Sequence, residues 1–247
     1  MKIINYIRNS RMATSGNFFT LLRKKLNIKT HKEELYQKAF THSSVNLKDS
    51  EGKTVNFERL EFLGDALLST IIAEYLFNFH PEAKEGELTK LRAKIVSRTQ
   101  LNYIGKEMGL IELADISSHH KTFGENIHGN LIESLIGALF IDKGYNKTKD
   151  YVLKYMLTPY IDMDELQNMV LSYKSLLFEW SQKNKKELLF KTESDNGLDP
   201  NINYTSQIYL DNKSIAKARA VSKKKAEEKA AKIAASILKP SKTKKDA

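Results

Sequence analysis

Apolar positions recur at three- and four-residue intervals in "FFTLLRKKL", "EELYQKAF", "RLEFLGDALLSTIIAEYLFNF", "LTKLRAKIVSRTQLNYIGKEM" and "NLIESLIGALFID". That period predicts helices through most of residues 18–157. Turn-forming stretches separate them: "DSEGK", His80-Pro81, "EGE", "FGEN" and "DKGY". After Pro159 the pattern changes. "SYKSLLFEWSQK" keeps a helical spacing. "NYTSQIYL" and "KSIAKARAV" alternate as strands do, and Asp211-Asn212 between them reads as a hairpin turn. "SKKKAEEKAAKIAASIL" closes the segment as a helix, with Ser222 as its N-cap. The pattern predicts a multidomain chain: an all-α domain over residues 18–158 and a small α+β domain over 168–238.

"NFERLEFLGDALLS" combines a core-like helix with three acids. Glu58, Glu61 and Asp65 fall within about 60° of one another on a helical wheel. Leu68 and Ile72 continue their stripe, and Phe62, Leu63, Ala66, Leu67 and Ile71 fill the other directions. A helix apolar nearly all round is expected to be buried. A buried carboxylate then needs an Arg, a Lys or a cation beside it. "GNLIESLIGALF" repeats the design: Asn130, Glu133, Ser134 and Gly137 form a narrow stripe on an apolar helix, and the glycine permits close approach of another helix. Two such stripes facing each other would make a cage of oxygen ligands suited to a hard divalent cation. Glu85 and Glu87 of "KEGEL" open a further helix. "KLRAKIVSR" then brings Lys90, Arg92, Lys94 and Arg98, which could neutralise phosphates or pair with the acids.

Composition narrows the chemistry. The chain has 247 residues, 41% of them hydrophobic, enough to bury a real core. It has no cysteine, which excludes disulfides, thiolate zinc sites and cysteine nucleophiles and suits a cytoplasmic protein. No apolar run approaches the roughly 18 residues that span a bilayer. "MKIINYIRNSRM" lacks the apolar stretch of a signal peptide. Neither a membrane nor a small-molecule cofactor is expected. No serine–histidine triad or HExxH pattern is present, and His119-His120 reads as loop. The net charge of +10 is concentrated at the end: from Lys213 to Ala247 twelve Lys and Arg face three acids. Such asymmetry points to a polyanionic partner at the C-terminal domain.

These residues also carry a resemblance. "NFERLEFLGDALLS", preceded by "AFTHSS" and followed by "EGELTKLRAKIVS" and "NLIESLIGALFIDKGY", closely resembles the motifs of the ribonuclease III family. "SKKKAEEKAAKIAA" resembles the last part of a double-stranded-RNA-binding domain. Together the matches span about residues 20–238. The resemblance implies an all-α endonuclease domain that forms homodimers, followed by an α-β-β-β-α domain that binds double-stranded RNA. It implies Mg²⁺-dependent hydrolysis of both strands (with Mn²⁺ as a substitute), leaving 5′-phosphate and 3′-hydroxyl ends, in the processing of ribosomal and other structured precursor RNAs.

By the family pattern, Glu61, Asp65, Asn130 and Glu133 hold metal. Asp65 and Glu133 are the central catalytic acids, and Glu58 and Glu85 are supporting acids. Asn130 stands where the family usually has Asp, so the site carries one negative charge fewer. This motivates an alternative: a duplex-RNA-binding protein on the same scaffold with lost or weak cleavage. In the second domain the resemblance assigns RNA binding to Glu179, Lys217, Arg219, Ser222, Lys223 and Lys224. Ala218 and Ala220 stand where glycines are common, and "DNGLDPNINY" lacks the usual Pro-x-His element.

Overall fold

The computed structural model describes residues 15–116, 124–163, 166, 169, 170, 172–195, 197, 199 and 202–240. "MKIINYIRNSRM", His119-His120 and residues 241–247 lie outside that set. The chain divides into two compact units, Met1–Asn168 and Met169–Ala247.

The first unit is helical. Its elements are α1 (Ser15–Leu26), α2 (Glu33–Ala39), α3 (Glu58–Phe79), α4 (Glu85–Ile95), α5 (Arg98–Glu107), α6 (Ile127–Lys143) and α7 (Tyr145–Tyr151). Short 3-10 turns occupy Ser43–Val45 and Leu110–Leu113, and α7 runs on into a π-helical turn at Val152–Leu157. The core is built around α3 and α6. From α3 come Leu60, Leu68, Ile71, Ile72 and Leu76; from α6 come Leu131, Ile132, Leu135, Ile136 and Ala138. Glycines set the spacing between these helices. A Cβ on Gly64 would collide with the carbonyl oxygen of Glu133, and one on Gly137 with that of Leu60. The two backbones therefore touch directly.

Polar bonds fasten the remaining helices to this pair. Ser134 Oγ donates to the Ala39 carbonyl at 2.7 Å, tying α6 to α2. Asn102 of α5 accepts the Gly129 N–H at 2.9 Å and donates to Asn126 Oδ1 at 3.3 Å, which seats the start of α6. Each bond satisfies a group that would otherwise be costly to bury.

The expectation that α3 is buried all round needs correction. Phe62 is 81% exposed, and Asp65 and Ala66 are exposed too. Only the side of α3 that meets α6 and its neighbours is covered within the chain. Asp65 is therefore no buried carboxylate in search of a partner.

The second unit has α8 (Tyr173–Lys183), β1 (Leu188–Ser194), β2 (Tyr204–Leu210), β3 (Lys213–Ala220) and α9 (Lys223–Leu238). The strands form one antiparallel sheet in the order β1-β2-β3. Asp211 and Asn212 take φ of 46° and 63°, the paired left-handed conformation of a tight hairpin turn. Leu177, Ile208, Ala216, Ala218, Ala230, Ala231 and Ala234 make the core, and the alanine face of α9 lets that helix lie close to the sheet. The residue pattern alone marks β2 and β3 but not β1, whose run of three apolar residues, Leu188 to Phe190, hides the alternation.

Replacing Gly64 with Ala is expected to lower the first unit's stability by at least about 3 kcal/mol, because backbone rather than a flexible side chain must move. Thermal and urea melts of the variant would show it; an unchanged midpoint would mean that α3 and α6 separate freely.

Candidate functional site

A cavity of about 690 Å³ opens beside the α3–α6 crossing. Glu58, Glu61 and Asp65 line it from α3, Asn130 and Glu133 from α6, and Arg98 and Asn102 from α5. His42, Ser43 and Phe62 also contribute to its walls. Asn56 Oδ1 accepts the Glu58 N–H at 3.1 Å and so helps to start α3 at its first acid.

The electrostatics show a crowded set of acids. Burial holds the Glu133 carboxyl up, and the Asp65 and Glu61 charges add to the effect, reaching about 7, against the opposing influence of Arg98. Glu61 is also raised, by burial first and then by Glu58. Like charges held this close favour a cation or a proton between them. The donors are three carboxylates and one amide oxygen, all hard ligands, so the set fits a divalent cation by chemistry. They stand around the cavity rather than on one point: among the described residues, no three His, Asp or Glu side chains are grouped as ready ligands of one ion.

Of the acids singled out in the sequence, Glu85 is not among the cavity's lining residues. It is the exposed first residue of α4 and accepts the Thr89 hydroxyl at 2.9 Å.

The second unit presents a different surface. Ser222 caps α9, its Oγ accepting the Lys225 N–H at 3.3 Å, and Lys223, Lys224 and Lys225 stand exposed on the first turn. The two acids that follow are engaged within the unit. Glu227 pairs with Lys174 at 2.7 Å, and Glu228 accepts from the Ser172 hydroxyl at 2.9 Å and from the first amides of α8. The N-terminal end of α9 is thereby left cationic, where the helix dipole also favours an anion. Glu179 is exposed on α8.

Lys217 and Arg219 do not join this surface. They alternate with the buried Ala216 and Ala218, so they lie on the sheet face opposite to the helices. Arg219 is further engaged with Asp195, its Nη2 donating to Oδ1 at 2.9 Å, and this pairing holds the Asp195 carboxyl well below its ordinary range.

Comparison with known proteins covers both units. A family model described as ribonuclease-III-like matches residues 32–160, and one for the double-stranded RNA binding motif matches residues 173–238. The chain is 47% identical to ribonuclease 3 of Zunongwangia profunda over 95% of its own length and 96% of that protein's. It belongs to the ribonuclease III family. Ribonuclease 3 of Flavobacterium psychrophilum is 44% identical over 91% of each chain. Among solved structures, the nuclease domain of ribonuclease III from Campylobacter jejuni is 31% identical and covers 58% of this chain and 97% of its own, with a TM-score of 0.51. The family's two-part organisation, a helical domain followed by helix, three antiparallel strands and helix, is the one found here.

The raised Glu133 carboxyl carries a sign for stability. Its neutral form is favoured by the fold, so its contribution is full in acid, below the ordinary carboxylate value, and is lost as pH rises through about 7. In chelator, Glu133→Gln is expected to stabilise the protein near pH 8 by about 1 kcal/mol, a value reduced for solvent screening. Near about pH 5.5 the gain should be smaller. Thermal melts at the two pH values would check this, and a variant less stable at the higher pH would refute it.

Proposed function

We propose that this chain is an endoribonuclease that hydrolyses double-stranded RNA with the help of a divalent metal ion, Mg²⁺ in the first instance, and that it works as a homodimer. The observation that carries the reading is the meeting of Glu61, Asp65, Asn130 and Glu133, from two helices, around one cavity in a chain that also bears a double-stranded-RNA-binding motif. In hydrolysis a water oxygen attacks phosphorus and the bond to the 3′ oxygen breaks, leaving a 5′-phosphate and a 3′-hydroxyl. A metal bound at these oxygens would activate the water and offset charge on the phosphate and the leaving oxygen. The chain supplies the ligands: Glu61 and Asp65 from α3, and Asn130 and Glu133 from α6. Glu58 adds negative charge at the rim.

The α9 lysines meet the phosphates of an A-form duplex, which proteins read by shape and backbone. Glu179 and Ser222 flank that surface in the family pattern. The homodimer is supported by α3, which leaves Phe62, Phe77 and Phe79 at 81%, 70% and 59% exposure on an otherwise core-like helix. The alternative of a binding-only protein rests on Asn130 alone, and nothing in the geometry favours it. The amide lines the cavity, an amide oxygen is a hard donor like a carboxylate's, and the three carboxylates are retained. Precursor-RNA processing and a cytoplasmic location stay with the family resemblance. Among the described residues, no helix is long and apolar enough to cross a membrane.

An end-labelled RNA duplex incubated with the protein should be cut in Mg²⁺ and left whole in chelator. Glu133→Ala should be at least about a hundredfold slower, since metal-centred charge stabilisation is worth several kcal/mol. Binding without cleavage in both Mg²⁺ and Mn²⁺ would refute the enzyme reading. Replacing Lys223 and Lys224 with Ala should weaken duplex binding whatever its sequence. Each should lower the slope of log affinity against log salt by about 1. Unchanged slopes would remove α9 from the RNA surface.

A further inference from the structure

We propose that Arg98 is the cationic contact for the RNA phosphate that enters the acid-lined cavity. The inference rests on the endoribonuclease reading and adds a substrate-binding residue to it. Arg98 is the first residue of α5, behind its N-cap Ser97, whose Oγ accepts the Gln100 N–H at 3.2 Å. It lines the cavity together with Glu58, Glu61, Asp65 and Glu133, and it is the one Arg or Lys among the described lining residues. Its charge is felt at both Glu61 and Glu133. Yet among the described residues it forms no ion pair. Its own helix gives it no acid either, because Leu101 and Asn102 occupy the positions three and four residues on.

The chemistry follows from this placement. A phosphate approaching four carboxylates meets repulsion, and the site must present a positive group to admit it. A guanidinium offers a planar fork of donors matched to two phosphate oxygens, and this one is exposed and uncommitted. Asn130 works in the same direction, because an amide there leaves one negative charge fewer in the phosphate's path.

The test uses the full chain with Arg98→Gln and Arg98→Lys. Two quantities are read: kcat/KM on a labelled RNA duplex, and the Mg²⁺ dependence of the thermal midpoint without RNA. Arg98→Gln should lose about 10- to 100-fold in kcat/KM, as removal of a hydrogen bond to a charged group does. Arg98→Lys should recover part of the loss, keeping the charge without the fork. Mg²⁺ should bind Arg98→Gln as tightly as the parent or more tightly, since a positive charge has left the cavity. A Gln variant with unchanged kcat/KM overturns the proposal. So does a loss of Mg²⁺ binding in step with activity, which would make Arg98 a support for the acids. If the parent protein binds Mg²⁺ and duplex but cuts nothing, the endoribonuclease reading itself falls and takes the proposal with it.

Discussion

Backbone meets backbone where α3 crosses α6, and the site follows from that contact. Gly64 sits against the carbonyl of Glu133, and Gly137 against that of Leu60. Gly64 lies between Glu61 and Asp65 in sequence, and Glu133 is itself one of the acids. The residues that allow the close approach are thus interleaved with the residues that line the cavity. Side chains larger than hydrogen at either glycine would push the helices apart and draw the carboxylates away from one another. Burial of these carboxyls, and after it their mutual repulsion, has an energetic cost, visible in the raised Glu133 and Glu61 carboxyls. A fold selected for stability alone would not bring these acids together, and such local conflict with the folding rules is what a functional site shows.

The second unit solves the opposite problem. It must keep positive charge available in a sequence that interleaves Lys with Glu. Glu227 and Glu228 are drawn to Lys174 and to the amide end of α8, where they stabilise the domain's own packing. Among the described residues Lys223, Lys224 and Lys225 form no ion pair, although Glu227 feels the charge of Lys223. On the far side of the sheet, Arg219 is neutralised by Asp195. Counting charges along the chain overstates the surface that can meet a polyanion.

Several features are legible in the order of residues alone. The helical period of "RLEFLGDALLSTIIAEYLFNF" and "NLIESLIGALFID", the Ser222 cap and the Asp211-Asn212 turn are local properties, and each appears where the pattern predicts it. Gly137 is readable as a point of close approach, but its counterpart Gly64 is not, since a glycine among acids gives no sign of what it faces. The helical wheel makes α3 look buried all round because it counts apolar directions without knowing which ones the chain covers. Lys217 and Arg219 look like companions of Lys223 because they are near in sequence. Strand alternation turns them to the other face.

What the sequence by itself determined is most of the elements (β1 excepted), the Ser222 cap and the Asp211-Asn212 turn, and the chemical kind of each donor: oxygens on two helices, lysines at the start of a third. These depend on neighbours within a turn or two, and one chain of letters contains them all. The tertiary structure decided which acids share a cavity, that Glu85 is not among its lining residues, that Arg98 stands among the acids with no ion pair to a described residue, and that Phe62 faces outward. Those outcomes depend on distances between residues far apart along the chain, and only packing sets such distances.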